Sequence, residues 1–344
     1  MPANHTFIKS SSMDQRLNAL TNWLINSTAI ELEKIEPASQ DASFRRYFRA
    51  YSKSESETKQ YIIMDAPPET ERIQPFLDIA QQLAELGLHT PHVYQVEQEL
   101  GFILLEDLGT RTYLAELDNN ADTLYKDAIS ALVILQTSIE KQKTYTPPTY
   151  DSKLLRQEMD LFQQWYLEKH LDFTIEKASH DIWLTTQQFL IDECLLQPQV
   201  WVHRDYHSRN LMITKDNSPG IIDFQDLVLG PIAYDLASLF KDCYIEWPRQ
   251  RQLSWLLNYH NQLIAKVGER TFEFDQLVRW YDLSGLQRHL KVLGIFCRLN
   301  YRDNKPHYLE DLPLVAKYAL DILPRYEELR DFDAHFGHLI ERSL

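Results

Sequence analysis

Hydrophobic and polar positions divide the chain into a first part with short alternating runs and a second part with long helical runs. Residues 13–25 place apolar side chains at helical spacing: Leu17, Leu20, Trp23 and Leu24. Five strand candidates follow, at residues 31–37, 43–51, 60–68 and twice within 91–109. Residues 73–87 between them have the helical period, with Gly87 suited to end the helix. The pattern predicts a small sheet of about five strands with one main helix, ending near Asp107.

From Thr112 onward, long runs with the helical period dominate the chain. Helices are predicted at residues 112–141, 152–170, 178–196, 232–245, 249–266, 273–296 and 312–330. Residues 200–225 alone interrupt them, with two short strands, "NLMI" and "GIID", joined by the turn-forming segment "TKDNSP". We therefore predict an α+β fold with two lobes, residues 1–107 and residues 108–344.

Composition narrows the possible partners. The 344 residues are 44% hydrophobic, as in a folded protein, and the net charge of −15 argues against nucleic acid or an anionic membrane as the main partner. The three cysteines are widely spaced and form no CxxC pair, so neither a disulfide framework nor a zinc site is predicted. No apolar run approaches the length of a membrane span or a signal peptide, which predicts a cytoplasmic protein. The sequence predicts no oligomeric state.

The segment "VHRDYHSRN" contains the pattern H-R-D-x-x-x-x-N, with Asp205 and Asn210 at its fixed positions. Asp223 follows in "IIDFQD", where a short hairpin would return it to Asn210. Mg²⁺ prefers hard oxygen ligands and usually takes one or two protein groups together with phosphate oxygens. The spacing predicts that Asn210 and Asp223 hold Mg²⁺ with ATP and that Asp205 is the catalytic base. We expect His203 and Arg204 to brace the loop.

These residues, with "DASFRRYFR", "FILLEDLG", "GIIDFQDLVLGPIAYDLASLF" and "LQRHLKVLGIFCRLNYRD", resemble the aminoglycoside phosphotransferase-like branch of the protein-kinase-like fold. Within that branch, nearly the whole chain resembles the bacterial anomeric kinases of N-acetylmuramate and N-acetylglucosamine. The resemblance implies a bilobal kinase fold, ATP and Mg²⁺ as cofactors, and a small-molecule sugar as substrate. It implies that residues 1–107 bind the nucleotide and that residues 108–344 carry the catalytic loop and the sugar site.

The same resemblance implies roles for residues outside the motif. Glu106 and Leu108 would bind adenine through backbone groups, although a strand followed by a linker is the simpler alternative. Asp235 would support the catalytic loop, while ordinary capping of its own helix also accounts for an aspartate at that position.

The chain departs from the protein-kinase pattern at the phosphate-binding elements. The segment "PASQDASF" contains no glycine, and Met64 stands near the position of the strand-three lysine. Phosphate contacts are therefore predicted from Ser43 and from Arg45 or Arg46, of which the alternation of a strand turns one outward.

Residues 286–302 add positive charge to an acidic protein. Arg288, His289 and Arg298 are candidates for contact with the substrate, and a solvated helix face is the alternative. Tyr244 could stack on a sugar, whereas core packing is expected for Trp247. Two other functions stay open at this point: another small-molecule kinase of this fold, for an aminoglycoside or an amino alcohol, and a non-catalytic pseudokinase.

Overall fold

The computed structural model describes residues 6–40, 44–53, 59–138, 145–268 and 272–344. It divides into two compact units. The first unit lies within residues 1–84 and 89–109, and the second combines residues 85–88 with residues 110–344. Ser43 lies outside the described residues, so its predicted phosphate contact stays a prediction.

The first part of the chain forms a five-stranded antiparallel sheet with two helices. The elements are α1 (Thr6–Ser27), β1 (Leu32–Gln40), β2 (Arg46–Ser52), β3 (Lys59–Asp65), α2 (Gln74–Glu85), β4 (Val93–Glu97) and β5 (Phe102–Glu106). The strand order is β1-β2-β3-β5-β4, in which β5 pairs with β3 and β4 forms the far edge. Phe44, expected in the second strand, precedes it and is exposed.

The core of this unit lies between α1 and one face of the sheet. Trp23 and Leu24 of α1 are buried against Phe48, Ile63 and Phe102 from three different strands. Because side chains alternate along a strand, Tyr47, Arg49 and Tyr51 of β2 lie on the opposite face of the sheet. The amphipathic helix that the apolar spacing predicts is therefore the helix that covers this sheet.

The second unit is mainly helical. Its helices are α3 (Leu117–Thr137), α4 (Ser152–Leu161), α5 (Lys177–Leu195), α6 (Tyr234–Phe240), α7 (Arg249–Val267), α8 (Phe274–Tyr301) and α9 (Leu312–Ile322). Residues 162–170 continue α4 as a π-helix, and short helical turns follow α9. The predicted helix over 232–245 is longer than α6, because the chain leaves the helical conformation at Lys241.

Two short sheets carry the catalytic loop. β7 (Leu211–Met212) and β8 (Gly220–Ile221) form the predicted hairpin. A second pair, β6 (Gln199–Val202) with β9 (Val228–Pro231), was not predicted as a sheet. Together the two pairs hold both ends of the segment from residue 203 to residue 227.

Helix α8 runs through the second unit and makes a close crossing at Gly294. A Cβ atom at this position would lie 2.2 Å from the carbonyl carbon of Leu161, so only glycine allows the approach. This crossing fixes α8 against α4, and both helices contribute charged residues to the candidate site. Among the described residues, no helix is long and apolar enough to cross a membrane.

Candidate active site

The loop from His203 to Asn210 connects β6 to β7 and is held from within by its first residue. Nε2 of His203 lies 3.0 Å from the carbonyl oxygen of Ile222, next to Asp223. Its Nδ1 lies 3.3 Å from the backbone N–H of Asp205, so the ring donates at Nε2 and accepts at Nδ1. His203 thus ties the Asp205 backbone to the strand end that precedes Asp223, which is the bracing expected of it.

Two carboxylates from the ends of α6 hold the same loop. Asp235 is fully buried and accepts backbone hydrogen bonds from His203 (2.7 Å) and Arg204 (3.0 Å). Asp242 accepts hydrogen bonds from the backbone N–H and the hydroxyl of Ser208. Capping of its own helix therefore does not account for Asp235: its two oxygens serve the catalytic loop. Burial raises the pKa of Asp235 to about 6.

Asn210 and Asp223 come together at the base of the hairpin. Nδ2 of Asn210 donates to the carbonyl oxygen of Asp205 (3.0 Å) and lies 3.4 Å from Oδ2 of Asp223. Gln225 donates to the other carboxylate oxygen of Asp223 at 2.7 Å. Asp223 and Arg204 both have positive φ angles, 63° and 76°. Backbone conformations of this kind, rare for side-chain-bearing residues, concentrate at functional sites.

The chemistry of this pair fits a magnesium ion. Because Nδ2 of Asn210 faces two acceptors, the carboxamide orientation is fixed and Oδ1 points away from them as a hard oxygen donor. The Asp223 carboxylate adds a charged oxygen. Nowhere in the described chain do three His, Cys, Asp or Glu side chains cluster as a metal site. An ion that takes one or two protein ligands and completes its shell with phosphate and water needs no such cluster.

Asp205 is a partly exposed residue of the same loop, and its backbone oxygen is hydrogen-bonded to Asn210. Its hydrogen bonds to described residues involve only the backbone, so both carboxylate oxygens remain open to a ligand. Burial acts to raise its pKa, but the charges of Lys291, His207, Arg288 and Arg204 outweigh that effect and hold the pKa at about 2. Asp205 is therefore ionised at neutral pH.

A buried ionic cluster holds the arginine of the motif. Glu158, on α4, forms ion pairs with Arg204 and with Lys291 of α8, the latter at 3.0 Å. The hydroxyl of Tyr150 also donates to Glu158. Burial acts to raise the pKa of Glu158, but the two cations outweigh it and lower the pKa. This cluster joins α4, α8 and the catalytic loop into one arrangement.

In the first unit, both candidate arginines have acidic partners. Arg46 forms an ion pair with the buried Asp65, which also binds Arg16 of α1 (Nε to Oδ1, 3.0 Å). Arg45 pairs with Glu71 at 3.0 Å. Two guanidinium groups on one carboxylate leave an excess positive charge beside Asp65, so the pair formed by Arg16 and Arg46 remains suited to phosphate.

The other predicted positions of the first unit lie at the end and middle of the sheet. Met64 is fully buried in β3, and its uncharged thioether cannot replace a lysine as the cation for a phosphate. The backbone N–H of Glu106 donates to the carbonyl oxygen of His92 (2.9 Å). Adenine binding by this segment therefore requires the carbonyl of Glu106 and the N–H of Leu108, and it stays a prediction.

The three candidates on α8 lie in different surroundings. Arg288 is buried and donates to Sγ of Cys243 at 3.4 Å, within electrostatic reach of Asp205. His289 is fully buried, lies 3.2 Å from the carbonyl oxygen of Lys241 and stacks on Tyr318, which favours a packing role. Arg298 lies ten residues further along the helix, about 15 Å from Arg288. The structure thus places only Arg288 with Asp205.

The two aromatic residues after α6 lie in different surroundings, and stacking of Tyr244 on a sugar stays a prediction. Trp247 is buried, and its Nε1 donates to the hydroxyl of Tyr125 (3.0 Å) in the core. Tyr244 is partly exposed and contacts two residues of the catalytic loop: the guanidinium of Arg209 lies 3.4 Å above its ring, and the His207 ring meets it edge-on at 5.5 Å.

Sequence reasoning missed three residues that build the site of the second unit, Glu158, His207 and Asp242, and it missed Arg16, which joins the Arg46–Asp65 pair of the first unit. Except for His207, which lies in the loop itself, each is held by contacts between elements far apart in the chain, as with Arg16 and Asp65, 49 residues apart. The periodicity of hydrophobic residues along the chain does not predict such pairs. The second histidine of "HRDYHSRN" could have been noticed, since it lies two residues after the predicted base.

A family model described as "Phosphotransferase enzyme family" matches residues 34–274, which include every element of this site in the second unit except α8. The chain belongs to this family. An N-acetylmuramate/N-acetylglucosamine kinase of Pseudomonas putida is 43% identical over 339 residues, which cover 95% of this chain and 96% of that protein. A protein of the same name from Neisseria meningitidis is 38% identical over 331 residues, 95% and 96% of the two chains. The resemblance stated from the sequence is confirmed.

Solved structures show the same fold. An ethanolamine kinase of Plasmodium vivax superposes with a TM-score of 0.60 at 13% identity, covering 89% of this chain and 94% of that one. The choline kinase LicA of Streptococcus pneumoniae gives 0.59 at 15% identity, with 89% and 100% coverage. The predicted α+β, protein-kinase-like fold is confirmed, and the family makes the chain a phosphotransferase rather than a pseudokinase.

Proposed function

We propose that this protein transfers the γ-phosphoryl group of ATP to the anomeric hydroxyl of N-acetylmuramate and N-acetylglucosamine. The products would be the sugar 1-phosphates, which serve peptidoglycan recycling. The observation that carries the proposal is the open carboxylate of Asp205 beside the Asn210–Asp223 pair. The names of relatives about two-fifths identical over nearly the whole chain support the choice of acceptor.

The residues of the loop have separate tasks in this reaction. Asp205 accepts a hydrogen bond from the O1 hydroxyl of the sugar. This bond directs the hydroxyl oxygen toward the γ-phosphorus of ATP. A carboxylate with a pKa of about 2 is a weak base, so it takes the proton late, as the O–P bond forms and ADP departs. The anomeric hydroxyl is the most acidic hydroxyl of the sugar, which eases this late transfer.

Asn210 and Asp223 would hold Mg²⁺ through Oδ1 and the carboxylate. The ion, when bound, neutralises charge on the phosphate oxygens. His203, Asp235 and Asp242 keep the loop backbone in place so that Asp205 and the metal ligands hold their spacing. Arg46, with Arg16, is the candidate cation of the first unit for the phosphates.

A cationic acceptor such as an aminoglycoside or an amino alcohol suits this site less well. The charged side chains that lower the pKa of Asp205 include Lys291, Arg288 and Arg204, and they would repel an ammonium group. An uncharged or anionic acceptor meets no such repulsion.

A panel of acceptors tests the proposal. The protein is incubated with ATP, Mg²⁺ and, separately, N-acetylglucosamine, N-acetylmuramate, kanamycin, choline and ethanolamine, and products are identified by ³¹P NMR. We expect phosphate esters only with the two sugars. Turnover of choline, ethanolamine or kanamycin with neither sugar phosphorylated would contradict the proposal.

A further inference from the structure

Arg288 is a buried cation that forms no direct ion pair with a carboxylate of the described residues, although Asp205 acts on it electrostatically. Its side chain is 3% exposed. Its described hydrogen bond runs from Nη1 to the thiol of Cys243, a weak acceptor, and burial raises the pKa of that thiol, which keeps it neutral. A buried guanidinium without an anion costs free energy, which indicates that a ligand supplies the anion.

The face of α8 that carries Arg288 points at the catalytic loop. Lys291 lies three residues later, on the same side of the helix. Its Nζ lies 3.0 Å from Glu158 and 3.2 Å from the hydroxyl of Tyr234, and Glu158 also holds Arg204 of the loop. Lys291 therefore has a protein carboxylate as a direct partner, whereas Arg288, one turn away, has none among the described residues.

A second group without a hydrogen-bond partner lies in the catalytic loop, next to the segment that contacts Arg288. Residues 243 and 244 form the link, since Cys243 contacts Arg288 and the Tyr244 ring contacts His207. Nδ1 of His207 is buried and has no hydrogen-bond partner among the described residues. A buried imidazole nitrogen of this kind can form a hydrogen bond to a ligand. Arg288 and His207 thus both contact the segment that follows α6, and both act electrostatically on Asp205.

We propose that Arg288 and His207 form a subsite for a carboxylate on the acceptor sugar. The planar guanidinium matches a carboxylate with two parallel hydrogen bonds, and Nδ1 of His207 adds a further hydrogen bond. The inference rests on the proposed function, because N-acetylmuramate differs from N-acetylglucosamine by a lactyl ether that carries a carboxylate. Arg288 then sets the preference between the two acceptors.

The test is the ratio of kcat/KM for N-acetylmuramate to kcat/KM for N-acetylglucosamine. In Arg288→Gln this ratio should fall about 10- to 100-fold, the size of a charge-assisted hydrogen bond. Any loss common to both sugars cancels in the ratio. Arg279→Gln is the matched control, because Arg279 lies on the same helix but pairs with Glu193 and Glu328. It should leave the ratio within about twofold, the expectation for a residue outside the subsite.

A second measurement needs no variant. The methyl ester of N-acetylmuramate keeps the lactyl group but loses its charge, so the wild-type enzyme should use it about 10- to 100-fold less well than the acid. Equal use of ester and acid, or an unchanged ratio in Arg288→Gln, would overturn the subsite. So would loss of the preference in Arg209→Gln instead. Wild-type turnover of both sugars at O1 tests the proposed function separately, so the two proposals can fail independently.

Discussion

Two sets of carboxylates surround the catalytic loop and differ in what their oxygens bind. Asp235 and Asp242, at the ends of α6, accept hydrogen bonds from the backbone N–H groups of His203, Arg204 and Ser208. Asp205, in the loop itself, has no side-chain hydrogen bond to any residue in the described ranges. The carboxylates that fix the loop therefore have hydrogen-bond partners within the protein and form the saturated set. The carboxylate proposed to meet the acceptor has none among the described residues and is the open one.

Charge separates the same two sets. Burial dominates at Asp235, which faces backbone N–H groups, and raises its pKa to about 6. At Asp205 the surrounding cations overcome burial and hold the pKa at about 2. Environment therefore gives one side-chain type two tasks, the pattern expected where carboxylates share a catalytic site.

The largest effect is expected from removal of the open carboxylate. Asp205→Asn keeps the shape but cannot accept the proton, so kcat should fall roughly 10²- to 10⁴-fold with nucleotide affinity little changed. Steady-state kinetics and calorimetric titration with ATP and Mg²⁺ measure the two quantities. Asp216→Asn, in the exposed turn between β7 and β8, is the control. A variant with near wild-type kcat would remove Asp205 from the mechanism.

A smaller effect, on binding as well as rate, is expected from the proposed metal ligand. Asp223→Ala should weaken the binding of Mg²⁺–ATP roughly tenfold or more, because the metal that bridges the phosphates loses a charged ligand. Asp226→Ala, three residues later and exposed, serves as the control in the same calorimetric titration. Unaltered affinity in Asp223→Ala would place the metal elsewhere.

Substitution of Asp235, whose carboxylate oxygens are both hydrogen-bonded, should lower the stability of the protein and not its activity alone. Asp235→Asn replaces one acceptor oxygen by a donor that faces a backbone N–H, so unfolding free energy should fall by about 1–3 kcal/mol. Asp205→Asn breaks no described side-chain hydrogen bond and should lose less stability, limited to the attraction of the surrounding cations for its charge. Urea and thermal unfolding of both variants compare them directly. Equal destabilisation by the two substitutions would contradict the distinction between the hydrogen-bonded Asp235 and the open Asp205.

Whether the sequence could predict a contact depends on how far apart in the chain the two residues lie. Asp205, Asn210 and Asp223 lie within one short hairpin, so their spacing alone predicted that they converge. Glu158 and Lys291 meet Arg204 through packing of α4 and α8, which no local pattern encodes. For the same reason, capping was a sufficient explanation for Asp235 until the structure showed its oxygens on the loop.

The smallest expected effect is a difference between the titrations of two carboxyl groups, those of Asp205 and Asp235, in the unsubstituted protein. Because cations favour the charged form of Asp205, its carboxyl should stay ionised down to a pH near 2. Because burial disfavours the charged form of Asp235, that carboxyl should gain its proton as the pH falls through about 6. NMR of protein labelled with ¹³C at the aspartate carboxyls, assigned through bonds, follows both between pH 4.5 and 7.5. Titration of Asp205 within that range would contradict the electrostatic contrast.

The central claim concerns one acceptor atom, and reduction of the sugar tests it most directly. Borohydride converts N-acetylglucosamine into its alditol, which replaces the anomeric hydroxyl by an ordinary alcohol and keeps most other groups. With ATP and Mg²⁺, the parent sugar should give an acid-labile product whose ³¹P signal couples to H1, and the alditol should give none. A product phosphorylated at O6, or undiminished turnover of the alditol, would contradict the anomeric assignment.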